Sequence, residues 1–231
     1  ILPAMGPILH RLARTAQVAA LGGTAGLSSF FIYTRKDELV PIEPTDRIFR
    51  IVREQNWNPH GNPFTQDFFV RRVPLNQIRP ELRDQPDKLT DAFCAGVWSN
   101  WGFFLQRTLL NALARNPSNE KHLWTREDFM SSTYEPGTLM ADSFEVLEKT
   151  DGRIVIRGGD HPSKRDTRPM DAILELTSVM KEDQTIEFGF KSLFYTGDTK
   201  TGQPPMPWPV VWLHLQYAKL LLESGISNTT I

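Results

Sequence analysis

Residues 207–225 read Pro-Trp-Pro-Val-Val-Trp-Leu-His-Leu-Gln-Tyr-Ala-Lys-Leu-Leu-Leu-Glu-Ser-Gly, and this stretch decides the fold. The two prolines cannot lie in a helix interior, and neither Pro nor Gly recurs until Gly225. The sequence therefore predicts one long helix over residues 210–223. Apolar residues recur along it at helical spacing, and His214 lies on the same stripe: Val210, Leu213, Tyr217, Leu220 and Leu221.

A run of strand-like segments precedes this helix, at residues 138–149, 153–157, 171–180 and 185–195. The last alternates most clearly, with one face made of Ile186, Phe188, Phe190, Ser192 and Phe194. The turns at residues 150–152 and 182–184 are short enough for hairpins. We therefore expect an α+β protein in which a curved antiparallel sheet grips the last helix and a hydrophobic ligand cavity lies between them.

One long polar loop, residues 158–169, interrupts the short hairpins and is a candidate rim of the cavity. It carries Asp160 and His161, which could act as an acid–base pair, and Arg168, a candidate partner for an oxyanion or a carboxylate. The alternative interpretation is a solvated turn.

An earlier strand is predicted over residues 67–75, where Pro74 ends the alternation. Its consecutive arginines, Arg71 and Arg72, must point to opposite faces. Arg72 shares a face with Phe68 and Val70, so we expect Arg72 to point inward and to serve as a second oxyanion partner. An exposed pair on an edge strand is the alternative.

Residues 89–114 follow as a helical block, and Gly96 and Gly102 predict a break near Asn100. Trp98 and Trp101 flank this break. They are candidate ligand contacts, although a core role is more common for such a pair.

The composition of the chain excludes several classes of function. The chain has 231 residues with 26 basic and 27 acidic side chains, so it lacks the basic surface of a nucleic-acid-binding protein. Cys94 is the only cysteine, which excludes an intramolecular disulfide framework and a multi-cysteine zinc site. We divide the chain into an N-terminal segment, an extended loop-rich lead-in and a ligand-binding domain, at residues 1–36, 37–66 and 67–231.

The N-terminal segment contains no acidic residue before Asp37, and an uncharged run covers residues 15–34. Three interpretations stay open: a marginal membrane span or anchor, an organelle presequence, and a helix packed on its own domain or on a second copy. Gly22 and Gly26 would allow close helix approach in either a membrane or a dimer. We expect an intracellular protein and leave membrane association open.

Standard catalytic signatures are missing from the sequence. It has no nucleophile-elbow serine, no P-loop and no pair of histidines at metal-ligand spacing. We therefore expect neither a metal nor a cofactor, and general acid–base catalysis in an apolar pocket is the chemistry that remains.

The order of elements resembles the START-like helix-grip superfamily of birch allergens and polyketide cyclases. The stretches Thr133-Tyr-Glu-Pro-Gly-Thr and Asp142-Ser-Phe-Glu-Val-Leu are similar to one branch of it. The chain also looks like fungal proteins found beside polyketide synthases, such as pyrone-forming lactonising proteins. The segments that prompt this are Phe31-Ile-Tyr-Thr-Arg, Val70-Arg-Arg-Val-Pro-Leu, Ala92-Phe-Cys-Ala-Gly-Val-Trp, Ser131-Ser-Thr-Tyr-Glu and Pro205-Met-Pro-Trp-Pro.

This resemblance implies a cofactor-independent cyclase that closes a lactone ring on a polyene polyketide, with a polyketide synthase as a partner. The candidate catalytic residues are His161, Asp160, Arg72, His214 and Arg168. The candidate substrate contacts are Tyr134, Glu135, Trp98, Trp101, Phe188, Phe190 and Tyr217. The rival interpretations are a non-catalytic carrier of a lipid, quinone or polyketide, and a membrane-associated accessory protein.

Overall fold

The structure, a computed structural model, describes residues 28–231, and the chain divides into two units, residues 1–36 and Asp37–Ile231. Residues 28–33 of the first unit are helical. The interpretations of residues 1–27 lie outside the described residues. No helix within residues 28–231 is both long enough and apolar enough to cross a membrane.

The second unit is built on one antiparallel sheet of seven strands in the order β1-β2-β7-β6-β5-β4-β3. The prediction of an α+β protein with an antiparallel sheet and a C-terminal helix packed on it is confirmed. The strands are β1 (Glu38–Leu39), β2 (Thr65–Pro74), β3 (Leu139–Met140), β4 (Phe144–Thr150), β5 (Arg153–Gly158), β6 (Asp171–Met180) and β7 (Thr185–Tyr195).

Within residues 37–231, five α-helices accompany the sheet: α1 (Arg47–Glu54), α2 (Pro86–Ser99), α3 (Phe104–Leu113), α4 (Arg126–Ser131) and α5 (Trp208–Ser227). The break predicted near Asn100 is confirmed, because α2 ends at Ser99 and α3 begins at Phe104. A capping box of Thr125 and Asp128 opens α4.

Two apolar cores lie on opposite faces of the sheet. The larger one joins the sheet to α2, α4 and α5 and includes Phe93, Phe188 and Leu222. The smaller one covers the other face with α1 and its flanking residues and includes Ile48 and Trp57. Helix α1 was not predicted. It lies inside the segment interpreted as an extended, loop-rich lead-in.

Helices α2 and α5 approach each other closely where glycines face each other. A Cβ added to Gly96 would lie 2.6 Å from Cβ of Asn228 and 2.7 Å from the carbonyl oxygen of Gly225. The hydroxyl of Ser224 donates to the carbonyl oxygen of Gly96 at 3.1 Å. Gly96, which was interpreted as an interruption of a helix, therefore allows α2 and α5 to pack closely.

The predicted apolar stripe of α5 is only partly buried, which corrects the expectation for its first turns. Trp208 is 75% exposed and Leu213 is 60% exposed, whereas Ala218 and Leu222 are fully buried. The second half of α5 packs on α2 and the sheet, and its first turns extend beyond that contact.

The prediction that Arg72 points inward is wrong. Arg72 is an exposed residue whose Nε donates to Glu187 at 3.0 Å, across the β2–β7 pair. Arg71 lies on the face of β2 that packs against the helices, and its Nη1 contacts Oε1 of Glu223 on α5. The inner face of β2 also carries Phe69 and Val73, so the alternation was assigned with the wrong parity.

Candidate functional site

A cavity of about 290 Å³ lies between the inner face of the sheet and helices α3 and α5. Its walls are mainly aromatic and aliphatic, with few polar groups. The lining residues are Trp98, Phe103, Gln106, Phe144, Gly159, Ala172, Leu174, Phe190, Phe194, His214, Tyr217 and Leu221. Four of the predicted site residues meet here: His214, Tyr217, Trp98 and Phe190.

His214 lies at the polar corner of this cavity, and its imidazole contacts a buried carboxylate. Nε2 of His214 is 2.8 Å from Oδ2 of Asp67 and 3.0 Å from Oγ of Ser192. The hydroxyl of Ser192 itself donates to Oδ2 of Asp67 at 2.5 Å. These three groups form a closed set of contacts, with the Asp67 side chain 1% exposed and that of His214 14% exposed.

The fold places these groups together through strand register and one helix. Asp67 of β2 and Ser192 of β7 are directly paired in the antiparallel ladder. Directly opposed residues project from the same face of a sheet, so their side chains meet. The second turn of α5 then places His214 above that pair, and Phe194 holds the ring edge-on at 4.8 Å between centroids.

The contacts of His214 with Asp67 and Ser192 both involve Nε2, so they favour one tautomer of a neutral imidazole. A carboxylate accepts hydrogen bonds, so in that tautomer the facing Nε2 carries the hydrogen. The lone pair is then on Nδ1, which has no hydrogen-bond partner among residues 28–231. A carboxylate that fixes the tautomer of a histidine and leaves the other nitrogen with its lone pair is an arrangement suited to general-base catalysis.

Tyr217 supplies a second polar group at the cavity. Its hydroxyl donates to Oε1 of Gln106 at 2.8 Å, which links α5 to α3. Burial raises the pKa of Tyr217 above its usual range, so the hydroxyl stays protonated at neutral pH. Tyr217 is thus a donor and not a base.

The predicted pair of Asp160 and His161 lies in a surface turn and does not line the cavity. Oδ1 of Asp160 accepts from the backbone N–H of His161 at 2.7 Å, and Oδ2 accepts from Lys164 at 3.1 Å. The His161 side chain is 50% exposed and its Nε2 lies 3.2 Å from Oδ1 of Asp142. The structure therefore supports the alternative interpretation, a solvated turn.

Arg168 is buried, but it holds the polar loop in place and does not line the cavity. Its Nε donates to the carbonyl oxygen of Lys164 at 2.9 Å, and its Nη1 donates to that of Gly158 at 3.1 Å. Burial lowers the pKa of Arg168, with the charge of Arg157 acting in the same direction.

The other predicted contacts lie away from the cavity walls. Tyr134 is fully buried and donates to the carbonyl oxygen of Phe129 at 2.6 Å, while Glu135 is exposed near Lys149. Phe188 packs on Phe93 in the core, with ring centroids 5.0 Å apart. Trp101 is 48% exposed on the outer side of the α2–α3 break.

Asp67 and Gln106 were not among the predicted site residues, and Ser192 had no predicted role. The alternation of β7 placed Ser192 on the inner face, and the same alternation in β2 places Asp67 with Phe69. Polar residues on a face that is otherwise apolar were the available signal.

A larger cleft of about 610 Å³ lies beside α1, on the opposite side of the sheet. Its only charged lining residue is Arg53, and no acid–base pair lines it. General acid–base catalysis requires groups that exchange protons, so we assign the candidate site to the smaller cavity at His214.

Comparison of the chain with protein-family models, with curated proteins and with solved structures gave no match.

Proposed function

We propose that the protein binds an apolar small molecule in the His214 cavity and catalyses proton transfer on it. The observation that carries this proposal is the contact of 2.8 Å between His214 and the buried Asp67 at the wall of an otherwise apolar cavity. Low polarity around the pair strengthens the attraction between the Asp67 carboxylate and an imidazolium formed at His214, because water screens that attraction less.

The resemblance to helix-grip polyketide cyclases suggests a particular reaction, the closure of a lactone ring. In this reaction Nδ1 of His214 takes the proton of a substrate enol, and the enolate oxygen attacks the thioester carbonyl. The carbon–sulfur bond then breaks, and the departing thiolate takes the proton back from His214. Asp67 would stabilise the intermediate imidazolium throughout.

Cavity size limits the part of the substrate that is enclosed. About 290 Å³ is just below the range of about 300–1,000 Å³ for pockets that enclose drug-sized ligands. A long polyene would therefore place only its reacting end beside His214, and the remainder would extend past the cavity opening.

The second candidate function is a carrier that holds an apolar ligand without reaction. The lining favours it because most of the walls are hydrocarbon and aromatic surface, which binds without catalysing. In that case the Asp67–His214–Ser192 contacts serve only to satisfy buried polar groups.

The two functions are separated by incubating the purified protein with a linear polyene β,δ-diketo thioester and measuring pyrone formation. The enzyme should accelerate ring closure, and His214→Ala should lower the rate about 100-fold or more, as expected for loss of a general base. His161→Ala is the matched control and should retain full activity. Binding of the thioester without acceleration would establish the carrier, and the cyclase proposal would be discarded.

A further inference from the structure

Large apolar side chains are exposed on two stretches beside the cavity. One stretch is α3 together with Trp101 in the turn that precedes it, and the other is the start of α5. Together they contain nine of the exposed large apolar residues: Trp101, Phe104, Leu105, Leu109, Leu113, Trp208, Val210, Trp212 and Leu213. We call these nine residues the α3–α5 face. An exposed apolar surface of this kind marks a site of interaction.

On α3 the exposed residues form a continuous stripe. Leu105, Leu109 and Leu113 are spaced four residues apart, so they lie on one side of the helix. Their exposed fractions include 70% for Leu105 and 83% for Leu113. In a helix that packs its apolar stripe on its own domain, these leucines would be buried and the polar residues would be exposed.

The two stretches are joined across the cavity. Gln106 of α3 accepts the hydrogen bond from Tyr217 of α5, and both residues line the cavity. Leu105 precedes Gln106 in the chain and Leu213 precedes His214, so exposed leucines flank lining residues on both sides. The exposed residues of both stretches therefore lie on the same two helices that wall the cavity.

Charge distinguishes the kinds of partner that could cover this face. Residues 96–119 and residues 199–222 contain no acidic side chain. Arg107, the only charged residue within α3, points inward and donates to the carbonyl oxygens of Trp98 and Ser99 at 2.7 and 2.6 Å. A surface that binds another protein normally has a polar rim around its apolar centre. A surface that enters the hydrocarbon layer of a membrane does not need such a rim.

The aromatic composition indicates the same partner. Three of the nine residues are tryptophans, the side chain that concentrates at the boundary between lipid hydrocarbon and water. Exposed Leu and Phe beside them provide the apolar surface that an interfacial helix buries in a bilayer.

We propose that the α3–α5 face docks on a lipid bilayer and presents the cavity entrance to it. An apolar ligand then passes between the hydrocarbon layer and the His214 cavity without crossing water. This proposal shares the ligand class of the proposed function, but bilayer binding itself does not depend on the chemistry at His214.

Sedimentation of the full chain with vesicles of phosphatidylcholine and phosphatidylglycerol tests the proposal. The wild-type protein should bind, and Leu105→Glu/Leu109→Glu should lower the partition coefficient at least about tenfold, since charge replaces buried apolar area. Val179→Glu/Met180→Glu is the matched control, because Val179 and Met180 are 44% and 46% exposed on β6, outside the face. This control should bind as the wild type does.

His214→Ala should also bind vesicles normally, so a failure of the cyclase proposal would leave this result unchanged. Vesicle binding that survives Leu105→Glu/Leu109→Glu would overturn the proposal, and so would an absence of binding by the wild type. The proposal would also fail if sedimentation showed a dimer that the double variant dissociates, because the face would then join two copies of the chain.

Discussion

Asp67 and His214 are 147 residues apart in the chain, yet Oδ2 of the first lies 2.8 Å from Nε2 of the second. The contact joins the inner face of β2 to the second turn of α5 at the wall of the cavity. A buried carboxylate beside an imidazole fixes the tautomer, and the chemistry proposed for His214 depends on that effect.

Asp67→Asn should slow a reaction at His214 by roughly 10²–10⁴-fold, because an amide no longer stabilises the imidazolium. Nitrogen NMR of the His214 ring provides an independent measurement, since the wild type should carry its hydrogen on Nε2. Asp166→Asn, on the exposed part of the polar loop, is the control. An unchanged rate together with an unchanged tautomer would make the contact purely structural.

Asp171→Asn should destabilise the protein by about 3 kcal/mol, which corresponds to a Tm lower by about 10 °C. Asp171 is fully buried and binds Arg157 in a bidentate pair, at 3.0 and 2.7 Å, so the variant leaves a buried guanidinium without its counter-charge. Thermal unfolding measures the effect, with the exposed Asp151→Asn as the control. Equal Tm values for the two variants would contradict this.

Stability should fall as the pH rises from about 4 to about 8 because of Asp37. Burial, followed by the nearby carboxylate of Glu223, raises the pKa of Asp37 from 3.8 to about 8. The folded protein therefore holds a proton that the unfolded chain releases above its lower pKa. The stability that this proton provides is complete at low pH and is lost as the pH approaches the folded pKa.

Asp37→Asn mimics the protonated side chain and should flatten this dependence. At pH values just above the folded pKa, we expect the variant to be more stable by about 1–2 kcal/mol, after allowance for solvent screening. Thermal unfolding across the pH range measures the slope, and the exposed Asp84→Asn should keep the wild-type slope. Parallel curves for wild type and Asp37→Asn would show that Asp37 is ionised when folded.

Gly96→Ala should destabilise the protein although alanine is the better helix former. The propensity gain is about 1 kcal/mol, but the added Cβ would lie 2.6 Å from Cβ of Asn228 and force α2 and α5 apart. Overpacking costs about 1–3 kcal/mol, so we expect a net loss in chemical denaturation. Gly202→Ala, where a Cβ meets nothing within 4 Å, should be neutral. A stabilised Gly96→Ala would refute this account of the helix contact.

Local patterns were sufficient to predict much of the fold. The bounds of β6 and β7 match the strand-like segments predicted between turns, and the break after Ser99 follows from Gly96 and Gly102. Helix α1 also had a local signal that was missed: Asp46 caps it, with Ile48, Ile51 and Val52 at helical spacing. Pro41 and Pro44 before the helix, and the turn-forming residues after it, favoured the interpretation as an extended segment instead.

The candidate site was predicted only in part, because its geometry depends on contacts distant in sequence. His214 was found on its helix, but its partner Asp67 belongs to a strand whose parity was assigned wrongly. Arg71 faces inward, where it forms an ion pair with Glu223 of α5. The sequence of β2 alone does not reveal this partner. His161 was favoured for its residue type, which says nothing about burial.

Strand order has a consequence for synthesis of the protein. Strand β2 leaves the ribosome early, but its neighbours in the sheet are only the short β1 and the late β7. The nascent chain must therefore carry β2 without its long partner, with the apolar side chains of Phe69 and Val73 uncovered, until Thr185–Tyr195 has emerged. Such late, long-range pairing slows folding and exposes the growing chain to aggregation, so this protein should depend on chaperones that shield apolar strands.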